Sequence, residues 1–188
     1  SSHAFLGERE ILCSYGRGGS GKLARLDLAS RALRDLALPF SRFSGVAVAG
    51  RQAAFLASGP DRVEALQLLD LDTGAVHEVV ASAPIAFESE LFSRPEPFEF
   101  RGAGGCTGHA WYYAPANPAV CGSSGERPPL LVKCHGGPTS AANPGLDLRV
   151  QFWTSRGIAV LDVDYGGSSG HGRAYRERLR GQWGVVDV

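Results

Sequence analysis

His135-Gly136-Gly137-Pro138 is the stretch of this chain best suited to chemistry. Two adjacent glycines let a backbone turn sharply and approach a ligand closely. An apolar run, Leu130–Cys134, precedes them, and a helix start is read after them at Asn143-Pro144, with Asn as the cap and Pro in the first turn. A diglycine between a strand end and a helix can aim a backbone N–H at the oxygen that becomes negative during acyl transfer. One such donor is worth about 2.7–4 kcal/mol of transition-state stabilisation. The tetrapeptide by itself fits a glycine-proline turn without chemistry equally well. The strand before it and the helix after it favour the donor role.

A second stretch, Gly166-Gly167-Ser168-Ser169-Gly170, matches G-x-S-x-G and also follows an apolar strand. Two arguments make Ser168 a decoy rather than a nucleophile. Such an elbow lies a further helix and strand beyond the oxyanion loop, whereas a single crossover separates the two stretches here. The order Ser, acid, His is also incomplete, because His171 is the only later histidine and no acid lies between. Gly16-Arg17-Gly18-Gly19-Ser20-Gly21-Lys22 nearly matches a phosphate-cradling loop, with Ile158–Asp162 as a possible partner strand and aspartate. Leu23 stands where the Mg²⁺-binding hydroxyl belongs, so the stretch is read as a turn between strands. Cys134 and His135 are strand neighbours pointing to opposite faces and form no dyad. Asp162 and Asp164 share a face, with nothing else to suggest a metal. Arg173, Arg176, Arg178 and Arg180 crowd one short helix and read as a solvated face partly paired with Glu177.

The elements that carry these residues form a β-α-β unit. Leu146, Val150 and Trp153 fall on one helical face, Gly157 stops the helix, and Ile158–Val163 is nearly continuous apolar, as a doubly covered parallel strand requires. Upstream, Phe98-Glu99-Phe100 and His109–Tyr113 read as strands around the glycine-rich turn 102–108. A polar loop runs from Pro115 to Arg127. Character changes at Pro84, and Arg94-Pro95-Glu96-Pro97 reads as a stiff extended linker.

The first 80 or so residues repeat themselves. Leu26-Asp27-Leu28 recurs as Leu69-Asp70-Leu71, and the same offset carries Ala4-Phe5-Leu6-Gly7 onto Ala47-Val48-Ala49-Gly50, Leu12 onto Phe55, Gly16 onto Gly59 and Leu36 onto Val79. A period of roughly 40–45 residues suits a four-stranded propeller blade. In the second copy, strands are expected at Val46–Ala49, Ala53–Ser58, Ala65–Asp72 and Ala75–Val80, with turns at Gly50-Arg51-Gln52 and Thr73-Gly74. In the first copy, Leu26, Ala29, Leu33 and Leu36 could share a helical face, but the repeat assigns them to strand-turn-strand.

Composition narrows the partners. Formal net charge is zero over 188 residues, which leaves no electrostatic footprint for nucleic acid or membrane. Lysine occurs only at Lys22 and Lys133. Cys13, Cys106, Cys121 and Cys134 show no metal-ligand spacing and read as free thiols of a reducing compartment, with no metal or cofactor expected. No apolar run reaches membrane-spanning length and no signal pattern is seen, so the expected location is cytoplasmic. The sequence has no methionine, and both ends are expected to lie inside a longer protein.

With these residues assembled, the chain resembles the prolyl oligopeptidase family of serine peptidases, in the branch of acylaminoacyl peptidases and dipeptidyl aminopeptidases. The likeness is carried by SRPEPFEF (93–100), GHAWYYAPANP (108–118), PPLLVKCHGGPTS (128–140), FWTSRGIAVLDVDYGGSSGHGRAYRERLRGQWGVVDV (152–188) and the repeat before them. The resemblance implies about two blades of a β-propeller over 1–83, then the start of an α/β-hydrolase domain over 84–188. That domain cleaves short peptides, releasing aminoacyl or acylaminoacyl units, by Ser-Asp-His acyl transfer. Of its machinery only the first oxyanion donor maps here, onto the N–H of Gly137, in a loop shaped by His135 and Gly136. Other branches carry a tyrosine at position 135 and use its hydroxyl, so histidine there shifts the role to the Gly137 backbone. Tyr165 and loop 166–172 match a structural segment. The nucleophile, acid and base are expected beyond Val188, leaving these residues inactive alone. An esterase or lipase shares the HGG loop, and a non-catalytic propeller scaffold remains the reading from another class. Exo- or endo-cleavage, side-chain preference and oligomeric state stay open.

Overall fold

The computed structural model describes residues 2–84, 89–120, 122, 123, 125–137 and 139–187. Pro138 of the glycine-rich tetrapeptide and Cys121 lie outside the described residues. Twelve strands among those described form three four-stranded sheets. The first holds β1 (His3–Phe5), β2 (Glu10–Arg17), β3 (Ser20–Asp27) and β4 (Leu33–Asp35). The second holds β5 (Arg42–Ala49), β6 (Gln52–Gly59), β7 (Arg62–Asp70) and β8 (Val76–Ala81). Both run up and down in chain order with antiparallel neighbours.

The internal repeat is visible in detail. Asp27 Oδ1 accepts from the Ser30 N–H at 2.6 Å and the Ser30 hydroxyl at 2.7 Å, and Asp70 Oδ1 accepts from the corresponding groups of Thr73 at 2.8 and 2.9 Å. Short polar side chains that bond their own backbone in this way fix the β3–β4 and β7–β8 turns. These turn amides hold both carboxyls below the ordinary carboxylate range. The stretch 26–36 is strand-turn-strand, as the repeat requires, and helical spacing at Leu26, Ala29, Leu33 and Leu36 carries no helix. The near-match to a phosphate loop is the tight β2–β3 hairpin turn at Gly18-Gly19, followed by a strand rather than a helix.

One core joins the first two sheets. Alternation along β6 and β7 sends Ala53, Phe55, Ala57 and Leu69 inward, into one cluster with Leu12 and Leu23 of the first sheet. Phe55 packs with Phe43 at 5.7 Å and Phe40 at 6.4 Å between ring centroids. Burying each such side chain contributes roughly 1.5–3 kcal/mol.

The third sheet has the order β11-β12-β10-β9, from β9 (Glu96–Arg101), β10 (Thr107–Tyr113), β11 (Leu130–Cys134) and β12 (Ala159–Asp164). β9, β10 and β12 pair antiparallel, while β11 and β12 pair parallel through α1 (Leu148–Thr154). The expected linker is shorter than its composition suggests, because Glu96-Pro97 already belongs to β9. That strand is the sheet's edge, where a residue lacking an N–H is tolerated.

The helix also starts later than Asn143-Pro144 predicts. Asn143 Oδ1 bonds the Gly145 N–H at 3.0 Å, and the Leu146 N–H is taken by the Gly59 carbonyl of the second sheet at 2.7 Å. Asp147 caps α1 instead, accepting from Arg149 N–H at 3.0 Å. Val150 is buried, Trp153 is partly exposed and Leu146 precedes the helix. Buried Gln151 is satisfied by a reciprocal pair with the Ser93 backbone, at 2.8 and 3.1 Å. The arginine-rich stretch forms α2 (Arg173–Arg176) and a following 3-10 turn. Arg176, Arg178 and Arg180 stay near solvent or Glu177, though Arg178 also stacks on Tyr175 and donates to the Thr107 carbonyl. No helix among the described residues is long and apolar enough to cross a membrane.

Candidate active site

Parallel neighbours end on the same edge of a sheet. Cys134 pairs with Val163, so the loops leaving β11 and β12 start side by side. This pairing brings His135–Ala142 against Tyr165–Gly172, which lie far apart in the chain. Tyr165 donates its hydroxyl to the His135 carbonyl at 3.1 Å and packs its ring on the His135 ring, 4.4 Å between centroids. The Ser169 N–H donates to the Ser140 carbonyl at 2.8 Å, and its hydroxyl bonds the Thr139 carbonyl. The Ala142 N–H donates to Asp164 Oδ1 at 2.7 Å.

Gly136 and Gly137 stand exposed at the crest of the first loop. Gly137 has φ +100°, a backbone conformation side chains resist, although a Cβ there would meet no atom within 4 Å. Glycine is therefore required by the path of the chain, not by crowding. No described residue accepts a hydrogen bond from the Gly137 N–H. His135 borders an open cleft of about 480 Å³ whose wall continues through Ser140–Pro144 and Lys133 and includes Tyr15 and Arg42 of the first two sheets. Gly137 itself is not one of the residues lining this cleft.

Ser168, His135 and Asp164 come together, but not in the arrangement of a catalytic triad. Ser168 Oγ lies 2.7 Å from His135 Nε2 and donates its own proton to the Tyr165 carbonyl at 2.8 Å. The imidazole tautomer sets which of Ser168 Oγ and His135 Nε2 is the donor, and His135 Nδ1 lies 3.2 Å from the Gly136 carbonyl. Asp164 Oδ1, at 3.5 Å, faces the same Nε2, whereas a triad places its acid on the other ring nitrogen. Ser168 is also fully buried.

These loops rest on further packing. His171 Nε2 donates to Asp164 Oδ2 at 2.8 Å, and its ring lies parallel to that of His109, 4.1 Å away and 2° from coplanar orientation. Burial, and after it the neighbouring His171, pushes His109 below the ordinary imidazole range. Beneath the cleft, Lys133 Nζ bonds Asp162 Oδ2 at 2.7 Å and reaches Asp147 at 3.6 Å. Among the described residues no group of three histidine, cysteine or carboxylate side chains is arranged to hold a metal ion.

The sequence profile of the prolyl oligopeptidase family matches residues 144–188. The puromycin-hydrolysing peptidase of Mycobacterium tuberculosis superposes with a TM-score of 0.90 at 37% identity, covering 98% of this chain and 28% of its own. A puromycin hydrolase superposes at 0.89 with 39% identity, again over 98% of this chain and 28% of its own. Residues 144–188 thus carry the sequence match to the prolyl oligopeptidase family, and the chain as a whole superposes on these peptidases. A dipeptidyl-peptidase 4 of Giardia intestinalis is 35% identical over 77 residues, 40% of this chain and 10% of that protein. The chain thus spans well under a third of the length of each of these relatives.

The strand-end placement of His135, Gly136 and Gly137 was readable from spacing. Asp164, His171 and the Lys133–Asp162 pair were not. Their one signal was charge at positions where a doubly covered strand should be apolar: Asp162 and Asp164 alternate with apolar residues in β12, yet both are fully buried.

Proposed function

We propose that residues 84–188 form the opening of an α/β-hydrolase peptidase domain, preceded over 1–83 by two four-stranded blades of a β-propeller. In this reading the protein cleaves short peptides by serine-type acyl transfer, releasing aminoacyl or acylaminoacyl units. The Gly137 N–H is the first oxyanion-hole donor, with His135 and Gly136 shaping its loop. The supporting observation is the exposed Gly137 amide, with no partner among the described residues, at the end of β11.

Chemically, a serine hydroxyl attacks the scissile carbonyl while a histidine accepts its proton and an aspartate orients that histidine. Negative charge then grows on the carbonyl oxygen. An amide held in place beforehand stabilises this charge without reorganising, because glycine has already taken up the required backbone angles. These 188 residues supply the donor and its supports; Ser168, His135 and Asp164 have none of the roles of nucleophile, base or acid. The free thiols of Cys13, Cys106 and Cys134 are consistent with a cytoplasmic setting.

Two measurements test the proposal. The whole protein should hydrolyse puromycin and aminoacyl 4-nitroanilides, and Gly137→Ala should lower kcat by about 100-fold or more with little change in KM. The 188 residues alone should leave these substrates intact, and a fluorophosphonate probe should leave Ser168 unmodified by mass spectrometry. An adduct on Ser168, or hydrolysis of esters but never of amides, overturns it.

A further inference from the structure

We propose that Asp164 is the positioning residue for the Gly137 amide, and that the Gly18-Gly19 hairpin tip of the first sheet completes its support through His171. The inference rests on the oxyanion role proposed for Gly137 and names what sets that site's alignment.

Asp164 is fully buried, and both of its carboxylate oxygens are occupied. Oδ1 takes the Ala142 N–H at 2.7 Å and faces His135 Nε2 at 3.5 Å; Oδ2 takes His171 Nε2 at 2.8 Å. A desolvated carboxylate is tolerated only with such a set of donors, so losing one disturbs the others. His135 and Ala142 are the two ends of the loop that carries Gly137. One end is bonded to this side chain and the other, through the His135 ring, faces it. The second half of the loop is tied again, through Ser169 to Thr139 and Ser140, which leaves Gly136 and Gly137 at the crest of a clamped arch.

His171 transmits contact from the first sheet. Its ring clusters with those of His109, at 4.1 Å, and Tyr175, at 5.3 Å, while the Tyr175 hydroxyl donates to the Asp164 carbonyl at 2.6 Å. The remaining side meets the hairpin tip. Gly19 N–H donates to the Gly170 carbonyl at 3.2 Å, and a Cβ on Gly19 would lie 3.2 Å from both His171 Cε1 and Trp111 Cζ2. Any side chain at position 19 pushes on the imidazole that holds Asp164. The route runs from Gly19 to His171, to Asp164, and to both ends of the Gly137 loop.

Backbone ¹⁵N relaxation on the 188-residue chain reads this support without requiring catalysis. In Asp164→Asn and His171→Ala the order parameters of Gly136 and Gly137 should fall from the rigid range near about 0.85 toward about 0.6 or below, while Gly74 in the second sheet stays unchanged. His171→Gln, which keeps a donor for Asp164, should restore them. If Asp164→Asn does not fold, the two His171 variants carry the comparison. In the whole protein, Gly19→Ala and His171→Ala should lower kcat about 10-fold with KM within about 2-fold, and His171→Gln should recover most of the loss. Unchanged order parameters in folded variants, or equal loss in His171→Gln and His171→Ala, overturn the inference. A protein that lacks hydrolysis but shows the relaxation changes sinks the proposed function and leaves the clamp standing.

Discussion

Replacing Lys133 with methionine is expected to destabilise the chain by roughly 3 kcal/mol near neutral pH, and by much less in acid. Asp162 is 1% exposed, its Oδ2 depends on Lys133 at 2.7 Å, and its Oδ1 has no partner among the described residues. Without the ammonium, a buried carboxylate remains with nothing to offset its desolvation. Lys133 itself is 35% exposed, so water entering its place keeps the loss at the low end of the range for broken buried pairs.

The pH dependence follows from the proton. Burial already pushes the Asp162 carboxyl above its ordinary range, with Lys133 pulling it partly back. A carboxyl whose folded pKa exceeds its unfolded one binds protons more tightly in the native state. That contribution is complete below the unfolded pKa and is lost as pH rises through the folded one. Lys133→Met raises the folded value further, so its deficit against the parent chain should be largest at about pH 8 and shrink toward about pH 4. Urea midpoints at the two pH values measure this. Adding Asp162→Asn removes the charge and should recover most of the loss at about pH 8. A double variant as unstable as Lys133→Met alone would rule the account out.

The second large effect is expected from Gly167→Ala, which should cost roughly 2–5 kcal/mol. Gly167 adopts φ +107°, and a Cβ there would lie 2.6 Å from Leu179 Cβ. Backbone strain and overpacking act together, because Leu179 is itself buried and cannot swing its Cβ away. Gly50→Ala is the control: it also has positive φ, but nothing lies within 4 Å. It should lose only about 1–2 kcal/mol. Equal losses for the two variants would show that the Leu179 contact does not matter. Since loop 166–172 braces the Gly137 loop, the whole protein carrying Gly167→Ala should also lose activity.

What the sequence could reveal followed the range of the interactions involved. The first two sheets were legible because their cause is local: alternating apolar residues, and an Asp three positions before a hydroxyl at Asp27/Ser30 and again at Asp70/Thr73. The β11–α1–β12 unit was legible for the same reason. The helix start was misplaced because Asn143-Pro144 has the local chemistry of a cap, and only the distant Gly59 carbonyl draws that segment away. His135-Gly136-Gly137 announced itself by placement at a strand end. Asp164 did not, because its two donors, the Ala142 N–H and His171, arrive from loops that meet only after β11 pairs with β12. The serine of G-x-S-x-G reads as a decoy from chain order alone; the structure adds that it is fully buried.

The two joints made by the first sheet differ in what separation would expose. Parting it from the second sheet would wet Leu12, Leu23, Phe43 and Phe55, a large apolar penalty. Where it touches the third sheet, Gly16 and Gly19 lie against Gly170, with the edges of Trp111 and His171 nearby. Water can replace a single long amide bond there almost without loss. The chain therefore has a tightly glued joint and a seam that opens at little cost, and that seam runs beside the clamp on Gly137.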